Sequence, residues 1–150
     1  MKYIQLPSGH QVKVDDDDYL EMSKYRWHRA NGYAMRHIST KPDKRIYMHR
    51  QILNISSELV VDHKNRNKLD NRKVNLRPAT ISQNAGNSKK RVGLSRYKGV
   101  SFFKPRGYWR ARITINGKST LIGYYRNQKE AHEAYCIVAR EVFGTYARYS

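Results

Sequence analysis

Val60-Val61-Asp62-His63 opens the stretch that decides the architecture, and Asn75-Leu76-Arg77 and Thr80-Ile81-Ser82-Gln83-Asn84 close it. The β-branched pair Val60-Val61 predicts a short strand that ends at Asp62 and His63. Asn65-Arg66-Asn67-Lys68-Leu69-Asp70-Asn71 is a loop full of turn formers. A second strand follows around Leu76. Thr80 and Gln83 have capping-box spacing, so a helix should start near Ile81. Asn84 is expected to face inward from its first turn. The pattern is strand, loop, strand, helix. It brings one His, one Asp and one Asn toward a single-metal site with a base beside it.

On these residues the sequence resembles the HNH (ββα-metal) endonucleases, in their phage and intron-encoded homing branch. The flanking words agree as well: Tyr47-Met48-His49-Arg50, Val61-Asp62-His63-Lys64-Asn65, Leu69-Asp70-Asn71-Arg72, Asn75-Leu76-Arg77 and Ser82-Gln83-Asn84. The likeness covers roughly residues 44–90, and identities and spacings match together. It implies that His63 is the general base, that Asp62 and Asn84 bind a divalent metal, and that Asn75 steadies the loop and the base. The third motif position is Asn rather than His, as in the homing branch. Two oxygen ligands suit a hard cation, so Mg²⁺ or Mn²⁺ is the expected cofactor. Bare spacing is much weaker evidence, because Asp-His pairs at strand ends and Asn-rich turns are common.

Charge fits such a partner. The 150 residues carry 30 Lys and Arg against 12 Asp and Glu, a formal net charge of +18. Residues 1–94 hold nineteen basic against nine acidic side chains, and residues 95–150 eleven against three. Both halves are therefore basic, and a polyanion is the expected partner. Twelve Tyr and two Trp are interspersed with the charges, which favours nucleic acid over an anionic membrane surface. The single cysteine, Cys136, excludes an internal disulfide and a Cys-based zinc site. The N-terminus lacks the apolar run of a signal peptide, and nothing approaches the ~20 apolar residues of a membrane span. A soluble protein of the cytoplasm is expected, with the resemblance suggesting a bacterial host cell and a phage or bacterial origin.

Upstream of the motif, residues 3–14 read as a β-hairpin through Pro7-Ser8-Gly9. Asp15–Asp18 reads as the acidic first turn of a helix rather than as a second metal site. Trp27–His37 reads as a hairpin around Asn31-Gly32. Lys41-Pro42-Asp43-Lys44 is a turn, Ile46-Tyr47-Met48 a short strand, and His49–Leu53 a short helix. His49 is taken as a structural histidine under the site in preference to a ligand, since it has no partner at ligand spacing.

Downstream, Ala85–Ser95 reads as a helix end and linker, with Lys89-Lys90-Arg91 tracking a phosphate backbone or solvated. A second module follows. Tyr97–Phe103, Trp109–Ile115 and Ser119–Tyr125 are strands, separated by Lys104-Pro105-Arg106-Gly107 and by the hairpin turn Asn116-Gly117. Asn127 caps a helix whose apolar stripe is Ala131, Ala134, Tyr135, Val138, Ala139 and Val142, with Gly144 as its stop. Trp109, Ala111, Ile113 and Ile115 should meet that stripe and leave Arg110, Arg112 and Thr114 on the open face. A sheet face bearing arginines can enter the major groove.

Residues 97–149 resemble the plant APETALA/ethylene-response-factor DNA-binding domain through Tyr97-Lys98-Gly99-Val100, Trp109-Arg110-Ala111-Arg112-Ile113, Leu121-Ile122-Gly123-Tyr124-Tyr125, and Glu130-Ala131 to Phe143-Gly144. The reading face departs from that family. Ser101 and Phe102 stand where the plant domains place arginines, and no tryptophan precedes Gly123 in the third strand. The resemblance therefore implies duplex-DNA binding, with Lys104, Arg106, Arg110, Arg112 and Thr114 as contacts, but not the plant target sequence.

The expected fold class is α+β. Residues 1–90 form a β-rich platform with the HNH motif, 91–96 a linker, and 97–150 a three-stranded antiparallel sheet on one helix. The expected function is metal-dependent hydrolysis of double-stranded DNA. One site per chain predicts a nick by a monomer, while a double-strand break would need a dimer or two successive events. No protein partner is evident. The competing readings are a non-catalytic, sequence-specific DNA-binding regulator with a decayed nuclease domain, and an RNA-binding module.

Overall fold

Apolar alternation at the N-terminus builds the first sheet. The computed structural model describes residues 1–38, 44–89 and 93–150. In it, β1 (Lys2–Gln5) and β2 (Gln11–Val14) pair antiparallel, and Val12 and Val14 are fully buried. α1 (Asp16–Ser23) follows, with Asp16, Asp17 and Asp18 in its first turn, as the sequence predicts. β3 (His28–Ala30) and β4 (Tyr33–Ile38) form the Asn31-Gly32 hairpin, and both turn residues have positive φ, the conformation that Asn and Gly tolerate. β5 (Lys44–Tyr47) adds to β4, and α2 (Met48–Leu53) starts at once after it. The expected turn at residues 41–44 lies almost wholly outside the described residues, as do Lys90 and Arg91 of the basic cluster.

Ile4, Leu6, Val12, Val14, Met22, Trp27, Ala34 and Met48 make the core of this part. Trp27 is buried, and its indole N–H donates to the Met22 carbonyl at 2.7 Å. β6 (Val60–His63) and β7 (Leu76–Ala79) form a two-stranded antiparallel sheet, with Asp62 opposite Arg77 and His63 opposite Leu76. The chain divides into two compact units, Met1–Ala79 and Thr80–Ser150.

The second unit opens with α3 (Ile81–Gly86). Its capping box is complete: Gln83 N–H donates to Thr80 Oγ1 at 3.1 Å, and Thr80 N–H donates to Gln83 Oε1 at 2.8 Å. β8 (Val100–Phe103), β9 (Tyr108–Ile115) and β10 (Lys118–Tyr125) form an antiparallel sheet with β9 in the centre. The first of these strands is shorter than expected, because Tyr97-Lys98-Gly99 is a turn. Gly99 has φ +75°, outside the extended range of a strand, and a side chain there would collide with the Tyr135 ring. A 3-10 turn at Lys104–Arg106 joins β8 to β9, and a bulge at Ile122 interrupts β10.

α4 (Gln128–Phe143) covers one face of this sheet. Asn127 Oδ1 caps it by accepting from Glu130 N–H at 3.0 Å, and it stops at Gly144. Ala131, Tyr135, Ala139 and Phe143 are its buried positions. Spacing of four throughout brings Phe143 into the core and leaves Val142 exposed, which corrects the last member of the expected stripe. Ala111 and Ile113 are buried beneath this helix, with Trp109 and Ile115 packed at the margin. The overall class is α+β, as expected.

Candidate active site

The loop between β6 and β7 is ordered by its own polar side chains. Asp70 is 1% exposed and receives both prongs of Arg72, Nε on Oδ1 and Nη2 on Oδ2, each at 2.7 Å. Asn65 Nδ2 adds a third donor to Oδ2 at 2.8 Å. The Arg72 guanidinium beside Asp70 holds its carboxyl below the ordinary carboxylate range. Asn75 ties the two ends of the loop together. Its Oδ1 accepts from Asn65 N–H at 3.0 Å, and its Nδ2 donates to the Asp70 carbonyl at 2.7 Å. β2 clasps the loop from the platform side: Lys13 N–H donates to the Leu69 carbonyl, and Asn71 N–H donates to the Lys13 carbonyl, each at 2.8 Å.

This clasp places Asn71, which is fully buried, against His63. The Asn71 Oδ1 lies 3.0 Å from His63 Nε2. With Nε2 donating to that oxygen, Nδ1 carries the imidazole lone pair. Rings fix the rest of the orientation. Tyr33 and His49 pack on His63 with centroids 5.9 and 5.2 Å away, and Tyr33 in turn packs on His49 at 5.0 Å. Lys68 Nζ sits 4.2 Å from the Tyr33 ring centroid and donates to the Asn31 carbonyl at 3.0 Å. Burial pushes the His63 pKa below the ordinary histidine value, more strongly than the Asn71 hydrogen bond and the charges of Asp62 and Asp70 raise it. Burial also lowers His49 to about 3, so that ring is neutral across the working range.

Asp62 is 3% exposed and points its Oδ2 at Arg77, whose Nε and Nη2 both donate to it at 2.7 Å. The cross-strand register makes this pair. Among the described residues no group of three or more His, Cys, Asp or Glu gathers as a metal cage. Within this unit the Asp62 carboxylate is a hard oxygen donor, of the kind that divalent cations such as Mg²⁺ take.

Asp62, His63 and Asn75 thus lie in the first unit, at the end of β6 and the start of β7. Asn84 lies on α3 in the second unit and is exposed. Gly86, two residues on, is the buried position of that helix, and positions two apart point to opposite sides. In the sheet, Arg112 and Thr114 are exposed and Arg110 is half-buried, on the face away from α4. Arg110 Nε donates to Ser101 Oγ at 3.1 Å, and its guanidinium lies 5.3 Å from the Phe103 ring. Lys104 and Arg106 are exposed on the turn between β8 and β9. Sequence reasoning treated Asp70 and Asn71 as turn formers and passed over Tyr33 and Arg77. The only available signal was the Leu69-Asp70-Asn71-Arg72 word, which does not show that a turn residue doubles as the imidazole's partner.

A family model described as HNH endonuclease matches residues 54–85, a span that includes Asp62, His63, Asn75 and Asn84. The chain is also 31% identical over 137 residues to an uncharacterized HNH endonuclease of Acanthamoeba polyphaga mimivirus, covering 89% of this chain and 71% of that protein.

Proposed function

From the premise that this chain belongs to the HNH endonuclease family and is a DNA-cleaving hydrolase, we propose that it nicks one strand of duplex DNA in the manner of the homing branch. The reading is carried by one observation: His63 is buried beside Asp62 at the end of β6, with its Nε2 held by Asn71. A base must present a lone pair in a fixed direction and stay neutral near pH 7. His63 meets both needs, since Nδ1 carries the lone pair and burial favours the neutral ring. It takes the proton of the attacking water. Asn75 holds the loop that carries Asn71 and so steadies the base. Asp62 and Asn84 are the residues that would hold the divalent cation, Mg²⁺ or Mn²⁺. Bound there, the cation would neutralise the charge that builds on the phosphoryl and leaving oxygens.

The C-terminal sheet is the second half of the proposal. Arg110, Arg112 and Thr114 on its open face, with Lys104 and Arg106 on the adjoining turn, bind duplex DNA. The resemblance to APETALA/ethylene-response-factor domains and the +18 charge support this. The mimivirus relative is similar over 89% of this chain, so the likeness reaches well into the second module. The DNA-binding regulator without catalysis is not favoured. In this reading the chain acts as a monomer with one cutting site. Among the described residues no helix is long and apolar enough to cross a membrane.

The test is supercoiled plasmid incubated with wild type or His63→Ala in Mg²⁺ or Mn²⁺, with a chelator control. Open circle from the wild type alone, and only with metal, is the expected result. Equal cutting by His63→Ala would remove His63 from its role.

A further inference from the structure

Helix α3, which carries Asn84, is held at both ends by the sheet module. At its C-terminal end the Lys98 side chain, 8% exposed, donates from Nζ to the Gly86 carbonyl at 2.6 Å. A cation there satisfies a terminal carbonyl and complements the negative end of the helix. Gly86 is also pressed onto α4. A Cβ at Gly86 would stand 2.8 Å from Cγ of Phe143, closer than real Cβ contacts come. In the first turn, Ser82 Oγ accepts from the backbone N–H of Asn116 at 3.1 Å. Asn116 is the tip of the β9–β10 hairpin, whose strands carry Arg110, Arg112 and Thr114. Asn84 lies between these two anchors, exposed on the side away from Gly86.

We infer that Lys98 and the Asn116–Ser82 contact are positioning elements for Asn84, so that the DNA-binding sheet sets where the metal-ligating amide is presented. This rests on the reading of Asn84 as a metal ligand. Six residues form too short a helix to be stable alone, so the contacts that hold α3 decide its direction. Those contacts come from the module proposed to grip DNA.

The experiment compares full-length wild type, Lys98→Met, Lys98→Arg, Ser82→Ala and Asn84→Ala. Three quantities are read: the Mn²⁺ concentration for half-maximal nicking, DNA affinity in chelator, and the broadening of the Asn84 side-chain amide NMR signal by Mn²⁺. Partners that orient metal ligands are commonly worth about 10–100-fold in metal affinity. Lys98→Met should raise the half-maximal Mn²⁺ concentration by about tenfold or more on that basis, with DNA affinity within about twofold. The Asn84 amide should need correspondingly more Mn²⁺ to broaden. Lys98→Arg should restore most of the loss. Ser82→Ala removes one acceptor without opening the core, so it gives a smaller shift in the same direction and keeps the test available if Lys98→Met folds poorly. An unchanged Mn²⁺ requirement in Lys98→Met and Ser82→Ala, beside a raised one in Asn84→Ala, overturns this inference alone. No change in Asn84→Ala, with no broadening of its amide in the wild type, overturns the metal-ligand reading beneath it.

Discussion

His63 Nε2 and Asn71 Oδ1 are 3.0 Å apart, and the backbone of Asn71 is itself bonded to Lys13 in β2. The platform strand therefore reaches the imidazole through a single side chain. Asn71→Ala should lower the nicking kcat by roughly five- to 150-fold, since an unmade buried hydrogen bond costs about 1–3 kcal/mol and each 1.4 kcal/mol is a factor of ten. The pH profile tests the same contact. The buried His63 has a lowered pKa, so the neutral base persists below the ordinary 6.5 and is lost only as the pH falls through that lowered value. Asn71→Asp places a negative charge on the ring and favours its protonated form. Its acid limb should move to higher pH. An acid limb that stays where the wild type has it would show that Asn71 does not touch the base.

His49 predicts an acid-sensitive fold. It is about 3 in the folded state against 6.5 for an ordinary histidine. The folded ring stays neutral while the unfolded one takes a proton, so stability is complete above pH 6.5 and declines as the pH falls toward 3. Each unit in that window costs up to about 1.4 kcal/mol, so roughly 2–3 kcal/mol should be lost between pH 6.5 and 4.5. Urea melts at several pH values measure it. His49→Phe should flatten this part of the profile, and an equally steep loss in the variant would assign the acid sensitivity to other groups.

Arg77 and Asp62 form a buried pair, and under the proposed metal role a cation would have to share that carboxylate. Arg77→Met leaves the carboxylate without its guanidinium, and breaking such a pair costs about 3–5 kcal/mol. The variant should melt earlier in chelator. It should also recover more stability than the wild type when Mn²⁺ is added, because the cation then supplies the missing positive charge. Equal responses of the two proteins to Mn²⁺ would argue that Asp62 is not a metal ligand.

What the sequence made legible follows from how local each signal is. The Thr80–Gln83 box, the Asn31-Gly32 and Asn116-Gly117 turns and the alternation from Trp109 to Ile115 all act within a few residues, and each appears where the sequence placed it. The strand at Tyr97 failed because Gly99 answers to a distant residue, the Tyr135 ring. Val142 and Phe143 exchanged roles for a similar reason, since a helix of regular spacing leaves open which of two neighbours turns inward. The polar support of His63 was hidden for the same cause. Asn71 reads as a turn residue until β2 is seen to hold it, and Arg77 has no role of its own in the Asn75-Leu76-Arg77 word until register sets it opposite Asp62.

The sheet module makes a prediction that does not depend on cleavage. Lys104 and Arg106 are exposed on one turn, and Arg112 is exposed on the open face, so each can neutralise a phosphate. Every such contact contributes roughly one unit to the slope of log affinity against log salt. Lys104→Ala with Arg106→Ala should reduce that slope by about two and weaken binding evenly across DNA sequences. Arg110 differs, because Ser101 and Phe103 hold its guanidinium in place. A side chain fixed in advance is better suited to a base edge than a mobile one, since it loses less freedom on binding. Arg110→Ala should therefore change sequence preference in a selection experiment while leaving the salt slope nearly intact. A slope that falls with unchanged preference would make Arg110 one more phosphate contact.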